Sequence, residues 1–195
     1  MFNASLGLTY FRFFASIFVL PYIICFVSQF GFFGNIFALI FFIILCLTDF
    51  FDGYLARAYH LQTVLGALLD PIADKVLLLS ALVSLVSVEK ANVFVAILFL
   101  SREFFVMGLR LLASSNNQRI AVSSIARYKT AFQMIYIGFA IFNPNNKIDI
   151  FTNSSFLALS LSSLEFIFLI VALILSLWSA LLYFYQSLDY ILELK

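Results

Sequence analysis

Four aspartates stand near one another where two strongly apolar segments adjoin: Asp49, Asp52, Asp70 and Asp74. If both segments are helices, Asp49 and Asp52 lie about 60° apart around one axis, and Asp70 and Asp74 lie one turn apart on the other. A carboxylate within an apolar helix is energetically costly and is functional by default. The pattern therefore predicts two acidic faces that meet across a cleft.

Small and basic residues accompany the two acidic faces. Gly53 and Ala56 fall on the same side as the first acidic pair, and Arg57 lies one position further round. Gly66 begins the second acidic face. Small residues allow a planar ligand to approach the backbone, and an arginine placed there can meet a phosphate. The same small residues could instead serve close packing between helices.

Four carboxylates in one cleft require compensating cations, because they cannot all stay charged at short range without large pKa shifts. Mg²⁺ prefers carboxylate oxygens and keeps coordination positions for substrate phosphates. Two such ions about 4 Å apart would suit a phosphoryl transfer. No cluster of histidine and cysteine accompanies the acids, which argues against a dedicated zinc site. We therefore expect two divalent ions, either Mg²⁺ or Mn²⁺.

The composition predicts a lipid environment. The chain is 64% hydrophobic and 11% charged, and 26 of its residues are phenylalanine, whereas soluble domains carry about 25% charged residues. Six segments are long enough, or nearly so, to cross a bilayer: Leu6–Val27, Asn35–Arg57, Gly66–Val88, Asn92–Ala113, Val122–Phe142 and Leu161–Tyr183. We expect an all-α integral membrane protein with six transmembrane helices in one catalytic domain, residues 1–195. The net charge of +1 predicts no binding to nucleic acid.

Lysine and arginine collect on one side of the predicted bundle, which is the cytoplasmic side by the positive-inside rule. Arg57 and Lys75 flank one connector on this side, and Arg110 and Lys129 flank another. Both termini and the acidic cleft should then face the cytoplasm. Orientation alone could also explain these basic residues, since cations at this level face lipid phosphates.

The aspartate spacing resembles the signature of the CDP-alcohol phosphatidyltransferase family at every defined position: Asp49-x2-Asp52-Gly53-x2-Ala56-Arg57-x8-Gly66-x3-Asp70-x3-Asp74. The resemblance implies a fold of six transmembrane helices with an active site that faces the cytoplasm. It implies that Asp49, Asp52 and Asp70 bind metal, and that Asp74 is both a ligand and the general base. It also implies that Gly53, Ala56, Arg57 and Gly66 line the pocket for the CDP group.

Two later segments, REFFVMGLR and ARYKTAFQM, resemble the bacterial branch of this family that transfers to glycerol 3-phosphate. The resemblance covers about residues 6–135 and implies CDP-diacylglycerol and glycerol 3-phosphate as substrates, membrane lipids as surroundings, and a homodimer in the bacterial inner membrane. Arg110 and Lys129, with Arg102, would hold the acceptor phosphate. Arg102 and Glu103 could instead form an internal ion pair.

The chain departs from that branch in two places. Ala126 and Arg127 replace the usual Gly-Lys, and the N-terminal motif keeps only Leu8, Thr9 and Arg12. Two other functions stay open. One is transfer to another acceptor, such as phosphatidylglycerol, serine or inositol phosphate. The other is cation transport, which the placement of all four aspartates at one end disfavours, because a transport path needs acids along the membrane.

Overall fold

The structure, a computed structural model, describes residues 4–58, 64–115, 124–143 and 155–193. Within these ranges it contains helices and turns but no strand. Helices are the expected form of such apolar segments, because each satisfies its own backbone hydrogen bonds without water. The α-helices are α1 (Ala4–Phe14), α2 (Leu20–Phe26), α3 (Phe32–Ala58), α4 (Val64–Ser87), α5 (Val93–Ser115), α6 (Ser124–Phe142) and α7 (Ser155–Glu193).

The N-terminal helical stretch is continuous from α1 to Phe30 but changes its winding. A π-helical turn, Ala15–Val19, separates α1 from α2, and a 3₁₀ turn, Val27–Phe30, follows α2. The N–H of Leu20 donates to the carbonyl of Ala15, which is the wider π pattern. The next residue, Pro21, has no N–H to donate, so the helix loses one of its hydrogen bonds where the winding changes.

Each of the six predicted apolar segments corresponds to a helical stretch, so the helical fold is confirmed in the described part of the chain. Two stretches there are long and apolar enough to cross a membrane, Thr9–Phe30 and Leu161–Ser187, and a third apolar helix, Phe32–Thr48, is shorter. Charged residues shorten the apolar windows of α3 to α6. The count of six spans therefore stays a prediction.

The chain forms two compact units. The first comprises the described parts of 1–92 and 137–159, and the second comprises those of 93–136 and 160–195. The single catalytic domain expected from the sequence stays a prediction.

In the first unit, α1 packs against both α3 and α4. Three contacts fix its register on α4. The side chains of Arg12 and Asp74 are 3.4 Å apart, the Ser80 hydroxyl donates to the Ser16 carbonyl at 2.5 Å, and Cys25 Sγ lies 3.2 Å from Ser87 Oγ. Residue numbers rise together on both sides, so the N-terminal stretch runs parallel to α4. Fully buried residues fill the space between these helices: Leu20, Ile24, Ala38, Leu45, Ala81, Leu82 and Leu85.

Glycines make the turn into α3, as the sequence predicts for residues 30–34. Gly31 has a φ of 78°, which a residue with a side chain rarely adopts. A Cβ on Gly34 would overlap the carbonyl oxygen of Val27, so the backbone approach requires glycine there. The N–H of Asn35 donates to the carbonyl of Gly31 at 3.0 Å.

The predicted hairpin at Glu89–Lys90 is a Schellman cap on α4. The N–H of Lys90 donates to Leu85 O at 2.9 Å, the N–H of Glu89 donates to Val86 O at 3.1 Å, and Glu89 has a φ of 59°. The Lys90 ammonium then donates to Asn35 Oδ1 at 2.9 Å. The predicted turn at 143–146 extends outside the described residues.

Candidate functional site

The ends of α3 and α4 that carry aspartates lie at the same end of the first unit. Lys90, just beyond α4, contacts Asn35 near the start of α3, so the two helices run antiparallel. The end of α3 at Ala58 and the start of α4 at Val64 are therefore at the opposite end. The five residues between them can span at most about 22 Å between the flanking Cα atoms.

Both acidic segments belong to uninterrupted helices. Positions 49 and 52 lie in the last part of α3, and positions 66, 70 and 74 lie in the first half of α4. The predicted relation of each set to one helical face therefore holds at the level of the backbone. Most of the predicted side chains lie outside the described ones: Asp49, Asp52, Ala56, Arg57 and Asp70, together with the local surroundings of Gly53 and Gly66.

Asp74 is the predicted site residue of this unit whose side chain is described, and it pairs with Arg12 of α1. One terminal nitrogen of the Arg12 guanidinium lies 3.4 Å from Asp74 Oδ1. The Arg12 side chain is 1% exposed, whereas that of Asp74 is 48% exposed. Asp74 is thus anchored from the interior and accessible from the solvent side.

The sequence analysis assigned Arg12 only to the surviving N-terminal motif. The signal for a functional role was present, since Arg12 stands between phenylalanines in an apolar helix, where a charge is costly without a partner. Its partner is far away in the sequence, so only the packing of α1 on α4 reveals it.

The donor chemistry at this end fits a hard divalent cation. All four predicted ligands are carboxylates, the group that Mg²⁺ and Mn²⁺ prefer. The one described carboxylate, Asp74, is accessible. No three potential metal ligands group together among the described side chains, a set that includes only Asp74 of the four aspartates.

In the second unit, the predicted acceptor residues Arg102 and Lys129 belong to a buried polar network. Arg102 donates from Nε to the Ser176 carbonyl at 3.2 Å and from Nη2 to Ser179 Oγ at 2.5 Å. It also pairs with Glu103, Nη1 to Oε1, at 3.2 Å. The same carboxylate oxygen accepts the Lys129 ammonium. The internal Arg102–Glu103 ion pair, which the sequence left open, is therefore present.

Arg110, the third predicted acceptor residue, is exposed. It lies two turns beyond Arg102 on α5 and donates from Nη2 to the hydroxyl of Tyr183 at 2.6 Å. Its guanidinium carbon also lies 4.8 Å from the centre of the Tyr183 ring, a cation–π distance. Tyr183 is buried, so it holds the arginine in place while the charged group stays available to a ligand.

Comparison with known proteins identifies the family. The family model for CDP-alcohol phosphatidyltransferase matches residues 2–180. The chain belongs to this family. The resemblance drawn from the aspartate spacing is thus confirmed. Family membership and the two long apolar helices make the chain a membrane protein, and the family generally depends on a divalent metal.

Several curated relatives carry the name CDP-diacylglycerol–glycerol-3-phosphate 3-phosphatidyltransferase. The protein of Cereibacter sphaeroides is 42% identical over 104 residues, which are 52% of this chain and 47% of the relative. The protein of Haemophilus influenzae is 35% identical over 189 residues, covering 93% of this chain and 91% of the relative. That of Salmonella choleraesuis is 35% identical, with 93% of each covered. The chain spans about half the length of the first of these relatives.

Proposed function

We propose that this protein transfers the phosphatidyl group of CDP-diacylglycerol to sn-glycerol 3-phosphate and releases CMP. The observation that carries the reaction class is the complete signature on α3 and α4, whose acidic ends lie at one end of the first unit. The acceptor is proposed from the names of relatives that are 35% identical over nearly the full chain.

In this proposal the four aspartates hold two divalent ions, which neutralise charge on the pyrophosphate of the donor. Gly53, Ala56 and Gly66 allow the cytidine group to approach the helix backbones, and Arg57 binds a donor phosphate. Most of the catalysis comes from positioning the two substrates, as in other phosphoryl transfers.

Asp74 acts as the general base. It accepts the proton of the 1-hydroxyl of glycerol 3-phosphate, and that oxygen forms a bond to the lipid-bearing phosphorus. The bond between this phosphorus and the bridging oxygen breaks, so CMP leaves with the electron pair. Arg12 fixes the Asp74 carboxylate during this step, which supports the assignment because a base must hold its place within hydrogen-bonding reach.

The proposed setting is the bacterial cytoplasmic membrane, crossed by six helices, with the active site on the cytoplasmic side and two chains forming a homodimer. The proposed acceptor phosphate ligands are Arg110, Lys129 and Arg102. Arg110 is the best supported of the three, because it is exposed and held by Tyr183.

An acceptor panel tests the proposed function. The purified protein in mixed micelles would receive CDP-diacylglycerol with glycerol 3-phosphate, phosphatidylglycerol, serine or inositol phosphate, and CMP release would be measured. We expect the fastest release with glycerol 3-phosphate, no release after chelation, and recovery with Mg²⁺ or Mn²⁺. Faster release with another acceptor would contradict the acceptor but leave the reaction class standing.

The substitution Asp74→Asn tests the assigned base. We expect the variant to fold and to bind CMP in a metal-dependent manner, but to lose turnover, because an amide cannot accept the proton. Binding would be measured by titration calorimetry and turnover by CMP release. Full turnover in this variant would remove Asp74 from the mechanism.

A further inference from the structure

Gln133 of α6 is fully buried and its side-chain amide lacks hydrogen-bond partners. Its exposed fraction is 0%, and neither Nε2 nor Oε1 has a partner in the part of the chain that the structure describes. A buried amide left without partners costs about as much as a lost hydrogen bond, and such groups are rare in folded proteins. Another molecule is therefore needed to satisfy this amide.

The surroundings of Gln133 indicate the chemistry of that molecule. Gln133 lies one turn after Lys129 on the buried face of α6, and Lys129 shares the Glu103 carboxylate with Arg102. Two cations and one anion leave this network with one net positive charge (+2 − 1 = +1). The hydroxyl of Ser176, whose carbonyl accepts from Arg102, is also buried without a partner. A net positive, polar and unsatisfied network favours a small anionic ligand with hydroxyl groups.

We propose that Gln133 is a specificity residue that hydrogen-bonds the secondary hydroxyl of the acceptor. This inference rests on the proposed function, whose acceptor is a phosphate ester of a polyol. An amide can donate to and accept from a hydroxyl, whereas the ion-paired side chains of Arg102 and Lys129 only donate. A site built to bond a hydroxyl rejects the analogue that lacks it, because its own polar group is then left unsatisfied.

The experiment compares glycerol 3-phosphate with 3-hydroxypropyl phosphate, which keeps the reacting hydroxyl and the phosphate but lacks the secondary hydroxyl. In the unmodified protein we expect kcat/KM for the analogue to be about tenfold to a hundredfold lower. In Gln133→Leu we expect the two acceptors to become nearly equal through loss of the preferred one. The KM for CDP-diacylglycerol should not change.

Stability gives a second readout that separates a binding role from a structural one. Leucine removes the unsatisfied amide, so Gln133→Leu should melt at the same temperature as the unmodified protein or higher, although acceptor selectivity falls. The matched control is Gln186→Leu, the same change at an exposed position of α7, which should alter neither selectivity nor the KM values.

The outcomes are distinguishable. If the unmodified protein releases no CMP with glycerol 3-phosphate, the proposed function fails and this inference fails with it. If it does release CMP but Gln133→Leu keeps the full discrimination, or if the unmodified protein accepts both compounds equally, only the role of Gln133 is overturned. A lower melting temperature with unchanged selectivity would assign the amide to a structural water.

Discussion

Buried charges in this chain have specific partners at the level of single residues. Arg12 reaches Asp74, and Lys129 and Arg102 share Glu103. Removing one member of a buried pair leaves the other charge desolvated, which is costly in an apolar helix bundle. The two networks differ in exposure, because Asp74 is half exposed whereas Glu103 is 13% exposed. Asp74 is thus the accessible acid of the two.

Arg12 should be required for turnover more than for substrate binding. We expect Arg12→Gln to lower kcat by about tenfold or more, because a base displaced by a fraction of an ångström loses its alignment. Arg12→Lys should recover part of the loss, since it restores the charge without the planar guanidinium. CMP release measured over a range of both substrates separates kcat from KM.

The control for Arg12 is Arg127→Gln, which removes an exposed arginine from α6. It should leave kcat unchanged. Equal losses in both variants would indicate a general effect of positive charge at the membrane surface rather than the positioning of Asp74.

At the scale of elements, tight connections determine which helix ends meet. The turn at Gly31 and the Schellman cap at Glu89 make antiparallel neighbours of α3 and the helices before and after it. The contact of Lys90 with Asn35 closes the end opposite the aspartates. The register of α1 on α4 then brings Arg12 to Asp74.

Gly34→Ala should destabilise the first unit. The added methyl group would overlap the carbonyl of Val27, and the backbone must shift to relieve it. We expect a loss of about 1–3 kcal/mol, as for other overpacked positions. Thermal unfolding in detergent micelles, followed by circular dichroism, measures it.

Gly108→Ala is the matched control, because a Cβ there meets nothing within 4 Å and the residue lies inside α5. Alanine favours a helix over glycine by about 1 kcal/mol, so this variant should be as stable as the unmodified protein or more so. Equal destabilisation by both changes would contradict the close approach at Gly34.

On the scale of the whole molecule, metal binding should be linked to stability. A ligand that binds only the folded state stabilises it by about 2.7 kcal/mol at a hundred times its dissociation constant. The carboxylates on α3 and α4 repel one another without cations, so Mg²⁺ should raise the midpoint of thermal unfolding, and chelation should lower it.

Asp70→Asn provides the comparison for this effect. Removing one proposed ligand should weaken the response to Mg²⁺, while the midpoint in chelator should rise or stay the same because one repulsive charge is gone. An undiminished Mg²⁺ response in Asp70→Asn would place the stabilising ion elsewhere in the protein.

Local sequence patterns determined the helices and the family. Apolar runs of sufficient length form helices in lipid because no other local structure satisfies the backbone, and the aspartates fall on single faces because helical periodicity requires it. The eight-residue signature is also local, so it identified the family before any coordinates were considered. The division into two compact units and the extent of each apolar window could not be derived in this way.

Tertiary structure alone decided which distant residues meet. Periodicity assigns a residue to a face but does not name the helix opposite, so neither Arg12 with Asp74 nor Lys129 with Glu103 follows from the spacing of the sequence. The unsatisfied amide of Gln133 likewise becomes visible only when packing excludes water from it. The sequence determined which groups are present and how each helix presents them, and packing between helices determined their partners.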